Sequence, residues 1–430
     1  MMNVDIALEE DMMSQAVKTP ETGPDVDPYT VPLDKIDPAR ADLFDSQAHW
    51  KYFERLRNED PVHFCADSEF GPYWSITKFK DIVYVDSHHD EFSSEPTIVI
   101  GDAEDPENEF PMFIAMDQPK HDVQRKAVTP SVAPMNLAKL EAGIRERVCK
   151  ILDDLPVGET FNWVDRVSIE TTTQMLAALF NVPWEDRYKL THWSDVSTSG
   201  PTVGSAEYTE DERRAELMEC LEYFTAMWHD RLENPIENDM ITLMAHNPDM
   251  QNMTPQEFLG NLMLLIVGGN DTTRNSSTAG VVALNQNPAE YDKLRADPSL
   301  IPNMVSEIIR WQTPLGHMRR NALKDVELNG KLIKKGDKVV MWYVSGNRDE
   351  EVIEKANEFI IDRPNARHHV AFGFGIHRCM GNRLGEMQLR ILWEEIMKRF
   401  KMVEVVGEPV RVRSNFVMGY SDLPVKLHRL

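Results

Sequence analysis

Of the four cysteines in the sequence, Cys379 stands among residues that give a thiol something to do. In Phe372-Gly-Phe-Gly-Ile-His377-Arg-Cys379-Met-Gly381, glycines on both sides of the sulfur let the backbone approach something large and flat. Leu384, Met387, Ile391 and Ile396 then recur at helical spacing, which predicts a helix starting just after the cysteine. Its N-terminal N–H groups and Arg378 would stabilise a thiolate, the form that ligates a soft or borderline metal. A lone cysteine is more often a buried structural residue, but the Phe, Gly and His at fixed spacings argue against that here. Cys65, Cys149 and Cys220 lie far apart with no CxxC pair, which excludes a disulfide framework, a zinc knuckle or a thioredoxin-type motif and fits a reducing cytosol.

The pattern F-x-x-G-x-[HR]-x-C-x-G resembles the haem-ligand loop of the cytochrome P450 superfamily, the haem-thiolate monooxygenases. The resemblance implies that Cys379 ligates the iron of haem b (iron protoporphyrin IX), with Phe372, Gly373, His377 and Gly381 against the cofactor. Many relatives carry Arg where this chain has His377. Glu307-Ile-Ile-Arg310 resembles the family's E-x-x-R, an acid and a base at i and i+3 on one helix face. The family completes that pair with an arginine before the cysteine, which Arg363 matches, and its role there is structural. Taken without the family, Glu307 and Arg310 would read as a solvated pair worth a few tenths of a kcal/mol.

Gly268-Gly269-Asn270-Asp271-Thr272-Thr273 resembles the family's [AG]-G-x-[DE]-T. In that context small residues, Gly268 among them, open a groove beside the haem. Thr272 is a helix-interior hydroxyl able to leave its backbone bond for O2 or water, and Asp271 gives protons a route. His121 and Arg125, at i and i+4, match the family's H-x-x-x-R; with Arg320 and His377 they would hold the two haem propionates, which need charged or hydrogen-bonding partners inside a protein.

These residues need elements to position them. Thr254-Pro255-Gln256-Glu257 is a capping box that opens a helix running to Asn287-Pro288, roughly 32 residues and about 48 Å long, with Leu259, Leu262, Met263, Ile266 and Val267 on a buried face. A second helix is predicted from Ser299 to Trp311. Val62 to Phe64, Tyr73 to Ile76 and Val339 to Val344 read as strands, and Asn329-Gly330 as a hairpin turn between Val326–Leu328 and Lys331–Ile333. The fold class is mainly α with small sheets, and the resemblance implies the triangular, α-rich P450 prism with haem between the long helix and the cysteine loop.

Residues 1–28 are acidic and interrupted by Pro20, Pro24 and Pro28, which predicts a loosely held tail; residues 29–430 read as one catalytic domain. The net charge of −25 argues against nucleic acid and anionic membranes as partners. The N-terminus has no basic leader, and no apolar run is long enough to span a bilayer, so a cytoplasmic protein, expected to be a monomer, is the reading. The motif spacing leaves no room for a fused reductase. In bacterial members electrons arrive from a 2Fe-2S ferredoxin on the cysteine face, where Lys120, Lys126, Arg378 and Arg383 would form a basic patch.

Superfamily positions around the substrate map onto Leu264, Val267, Leu315, Met318, Phe416 and Val417, an apolar set that suits a hydrocarbon. The segments Phe92–Met116 and Thr198–Ser205 are candidate entrance lids. The sequences around Asp271 and Cys379 are most similar to bacterial hydroxylases that attack the terminal methyl of medium-chain alkanes and fatty acids. A terpene or steroid hydroxylase of the same fold is the alternative. A peroxide-using relative would not need Asp271 with Thr272, and a haem sensor or carrier would need no electron-accepting face.

Overall fold

The computed structural model describes residues 22–103, 110–205 and 207–430, in which helices carry most of the chain and the strands gather into four small sheets. Packing begins before Tyr29: Tyr52 Oη donates to Gly23 O (2.9 Å) and Arg40 donates to Thr22 O (2.5 Å). The acidic middle of the first candidate lid, residues 104–109, lies outside the described residues.

The central helix runs Pro255–Gln286, with Thr254 Oγ1 accepting from Glu257 N at 3.2 Å. The reciprocal half of the predicted capping box is not made. The Glu257 carboxylate instead meets Lys120 Nζ at 2.9 Å and the Gln124 amide, because helix Lys120–Val128 packs there and brings a cation. The first half of the central helix buries apolar residues; the second buries Asn270, Asn275, Ser277 and Thr278, which bond to neighbouring elements. Thr172 Oγ1 donates to Asn270 Oδ1 (2.8 Å), Ser168 bonds Ser277 (3.1 Å), and Asn275 Oδ1 accepts from Tyr420 N (3.1 Å).

The paired glycines do not break the helix, and they do different jobs. A Cβ on Gly269 would lie 2.7 Å from Leu176 Cδ2, so this glycine admits helix Glu170–Phe180. A Cβ on Gly268 would meet nothing within 4 Å, although it stands mid-helix in the interior.

Strands in chain order are β1 Val62–Cys65, β2 Tyr73–Ile76, β3 Phe92–Ser93, β4 Thr160–Asn162, β5 Met318–Ala322, β6 Val326–Leu328, β7 Lys331–Ile333, β8 Lys338–Met341, β9 Phe400–Val405, β10 Val410–Arg411, β11 Tyr420–Asp422 and β12 Pro424–Arg429. The largest sheet has the order β1-β2-β8-β5-β3, parallel only between β2 and β8, and pairs Arg320 with Val339. The β6–β7 hairpin turns at Asn329 (φ 49°) and Gly330 (φ 74°), both left-handed as that turn requires. The strand expected to reach Val344 stops at Met341. Beyond it Tyr343–Gly346 form a helical turn, with Gly346 N on Trp342 O at 3.0 Å, pressed against helix Phe79–Ser87 where Gly346 faces Ile82. The second predicted helix forms as Ile301–Gln312, and the helix after the cysteine as Asn382–Arg399.

Candidate active site

The cysteine loop folds because its glycines can. Gly373 and Gly375 take φ of 65° and 64°, and a Cβ on Gly375 would fall 2.2 Å from Asp86 O. Cys379 N donates to Phe372 O at 2.8 Å, which closes the loop and places the exposed cysteine two residues beyond a short helical turn, Gly375–His377. The sequence led us to expect a stabilised thiolate. The Gly381 and Asn382 N–H groups, Arg125 and Arg378 all act in that direction, while desolvation by the surrounding protein atoms pushes the thiol up. Deprotonation there falls to a bound cation.

Helix Lys120–Val128 lies beside this loop. The His121 and His377 rings meet at a tilt of 57° with centroids 4.2 Å apart, and Arg125 Nη2 donates to Arg378 O at 2.5 Å. His121 Nδ1 meets Asp122 Oδ1 at 2.7 Å, but its Nε2 and both ring nitrogens of His377 are buried without a partner among the described residues. Burial lowers the basicity of both rings, His377 to about 2 with Arg320 and His121 adding to the effect; a neutral His377 keeps a free N–H to donate, whereas the one N–H of a neutral His121 is spent on the Asp122 carboxylate. Arg320 is buried in β5 and already committed, its Nη2 donating to Asp86 Oδ1 at 2.8 Å.

Deeper, Arg310 grips Glu307 with two N–H groups at 2.7 Å, and Arg363 Nε adds a third at 3.0 Å. Ile360 N reaches the same carboxylate at 2.9 Å. Arg310 also donates to the carbonyls of Asn347, Ala356 and Glu358, and Arg363 to those of Lys355 and Glu358. Both side chains of the pair are fully buried, so this is no surface ion pair; it ties the chain before the cysteine to helix Ile301–Gln312.

On the central helix Asp271 is fully buried, and burial pushes its carboxyl up to about 6 against the pull of Arg274. Arg274 Nη2 lies 2.7 Å from Asp271 Oδ1 and 2.8 Å from Asp195 Oδ1, and Thr198 Oγ1 donates to Asp271 Oδ2 at 3.2 Å. Asp195 and Thr198 belong to helix Arg187–Thr198, so the acid is bound to the element that leads into the second candidate lid. Thr272 bonds Gly268 O at 3.0 Å and is half-buried. No hydrogen bond joins Asp271 to Thr272.

Met318, Phe416 and Val417 fall in one apolar cluster with Ile98, Ala115 and Val203, and Leu315 packs on it, bridged to Val417. Leu264 packs on the separate helical cluster, and Val267 is half-buried beside it in sequence. The two lid segments touch: Gly101 N donates to Thr202 O at 3.1 Å, and a Cβ on Gly101 would lie 2.5 Å from Thr202 Cα. His317, not singled out from sequence, clamps the same region. Its Nδ1 meets Asn415 O (3.0 Å), so Nε2 accepts from Ile100 N (3.2 Å), and burial lowers its basicity to about 4. The sequence reading also missed Asp86, Arg274, Asp195 and Thr198. Arg274 was findable, three residues after Asp271; Asp86 carries no local signal.

The model of the cytochrome P450 family matches residues 144–425. Linalool 8-monooxygenase of Pseudomonas putida is 35% identical over 92% of this chain and 99% of its own. The chain belongs to the cytochrome P450 family. The methyl-branched lipid omega-hydroxylase of Mycobacterium tuberculosis is 31% identical over 93% of this chain and 96% of its own. Two solved P450 structures are nearer in sequence. Cytochrome P450-153 from Novosphingobium aromaticivorans is 47% identical with a TM-score of 0.87, covering 91% of this chain and 99% of that one. CYP153D17 from Sphingomonas sp. PAMC 26605 is 48% identical with a TM-score of 0.88, covering 93% and 100%. The chain therefore has the P450 fold and is a P450 monooxygenase, an enzyme class that holds haem b through a cysteine thiolate and takes electrons from a redox partner. The residues present fit that group: an accessible thiol, the unpartnered His377 ring with its N–H and a guanidinium for two carboxylates, and an open helix face at Gly268. Among the described residues no helix is long and apolar enough to cross a membrane.

Proposed function

We propose that this P450 hydroxylates the chain-end methyl of a medium-chain alkane, fatty acid or related alkyl compound, working as a cytoplasmic monomer with a 2Fe-2S ferredoxin as electron donor. Cys379 would ligate the iron, with Phe372, Gly373 and Gly381 against the macrocycle and His121, Arg125, His377 and Arg320 towards the propionates. Bound there, haem supplies activation of O2 for insertion of one oxygen atom into a C–H bond.

What carries the substrate class is the apolar character of the six positions expected to line the substrate. Leu264, Val267, Leu315, Met318, Phe416 and Val417 offer no polar side-chain atom to hold a substrate hydroxyl or ring heteroatom, so shape must orient the substrate. A chain entering end-on satisfies that requirement. Relatives support it: their printed positions, omega, C26 of a steroid and carbon 8 of linalool, are all ends of branched alkyl chains. Asp271 would carry protons inward once its carboxyl leaves Arg274 and Thr198, and the Thr272 hydroxyl would donate them beside Gly268. For the electron donor, Lys126, Arg378 and Arg383 form no ion pair among the described residues and remain available on the cysteine side, whereas Lys120 is spent on Glu257.

The test is product regiochemistry with decane, a fatty acid and a terpene, using a ferredoxin and its reductase. Oxidation at the chain end is the expected outcome; exclusive terpene oxidation would replace the proposal with the terpene or steroid reading, which the linalool enzyme favours. Replacing Thr272 by Ala should divert reducing equivalents from product to peroxide.

A further inference from the structure

Asp86 lies in the last turn of helix Phe79–Ser87 and is 2% exposed, on an element the mechanism does not use. Each of its oxygens is occupied. Oδ2 accepts from Phe374 N at 2.6 Å and from Tyr343 Oη at 2.9 Å, and Oδ1 accepts from Arg320 Nη2 at 2.8 Å. Burial and the Asp86 charge hold the Tyr343 phenol well above its usual range, so it stays a donor. The backbone is engaged as well. Asp86 O sits where a Cβ on Gly375 would be, and Asp86 Oδ2 lies 3.1 Å from the Cβ position of Gly373.

Three elements distant in sequence thus converge on one carboxylate: the cysteine loop, β5 and the turn after β8. Phe374 is five residues before Cys379, and Arg320 is one of the residues placed towards the propionates. A buried carboxylate with three donors is costly to remove and stiff in position. Its charge also cancels part of what Arg320 would otherwise present to the anchoring site beside His121 and His377.

We propose that Asp86 is a positioning residue for the haem-thiolate centre: through Phe374 N it fixes the cysteine loop, and through Arg320 it sets the charge felt by the cofactor. This rests on Cys379 being the iron ligand. A fixed negative charge opposes adding an electron to the iron, so Asp86 holds the reduction potential down.

Two variants of the haem-loaded enzyme separate the parts. Asp86→Asn keeps an acceptor oxygen and nearly the same shape but drops the charge. Its reduction potential should shift to a more positive value while the reduced carbon monoxide complex keeps the strongly red-shifted Soret band of thiolate ligation. Asp86→Ala also frees Phe374 N, and part of that band should move to the position seen without a thiolate. An unchanged potential in Asp86→Asn, or a fully retained band in Asp86→Ala, overturns the proposal. A wild-type enzyme lacking the thiolate band, or a Cys379→Ser variant retaining it, would instead overturn the ligand assignment.

Discussion

Glu307 and Asp271 have the same local sequence logic: a buried carboxylate on a helix with an arginine three residues on. Their surroundings differ. Glu307 receives two arginines and a backbone amide, every contact at 3.0 Å or less, from segments with little freedom to leave. Asp271 shares its arginine with half-exposed Asp195, and its second oxygen has one hydroxyl at 3.2 Å from a helix next to a lid. The first arrangement leaves neither carboxylate oxygen free to change partner; the second leaves a carboxyl pushed up to about 6, able to change both protonation and partner. Saturating a buried acid makes it structure, and leaving it short of donors makes it chemistry.

Removing the saturated acid should have the largest effect. Glu307→Ala leaves Arg310 and Arg363 buried without a counter-charge and should cost about 3–5 kcal/mol, read as a drop in the denaturant midpoint and in haem uptake. Asp271→Asn should reverse that pattern, lowering product turnover by about 100-fold through loss of the proton route while the fold survives. Unchanged turnover would remove Asp271 from the mechanism.

Stability against pH sharpens the contrast. The Asp271 carboxyl is raised in the folded chain to about 6 from 3.8, so the folded state binds the proton more tightly than the unfolded one. This group's contribution is therefore favourable at low pH and is lost as pH rises from about 4 through 6. The melting temperature of Asp271→Asn should exceed that of wild type at pH 7, and the gap should close as pH falls towards 4. Thr198→Val should have the smallest effect. Losing one hydroxyl donor costs about 1 kcal/mol and pushes the Asp271 carboxyl further up, moving the acid limb of the turnover profile to higher pH.

Much of the site was legible because its parts are local. The cysteine loop needs glycines whose backbone no other residue adopts as easily, and the i, i+3 and i, i+4 pairs on helices announce themselves by spacing. The helix through Gly268-Gly269 was found from its cap and its length. The capping box was half wrong because Glu257 faces a cation that only packing supplies, and the strand drawn to Val344 ended early because Gly346 had to pass Ile82.

The sequence alone nominated the residues proposed to do chemistry, since a cysteine loop, an acid next to an alcohol, and anchors for two carboxylates are read from residue type and short-range order. Tertiary structure decided how each is tuned. That Arg320 is already paired to Asp86, and that the arginine beside Asp271 is shared with Asp195, depend on contacts between segments tens to hundreds of residues apart. Electrostatics and desolvation act through space, so no pattern along the chain records them.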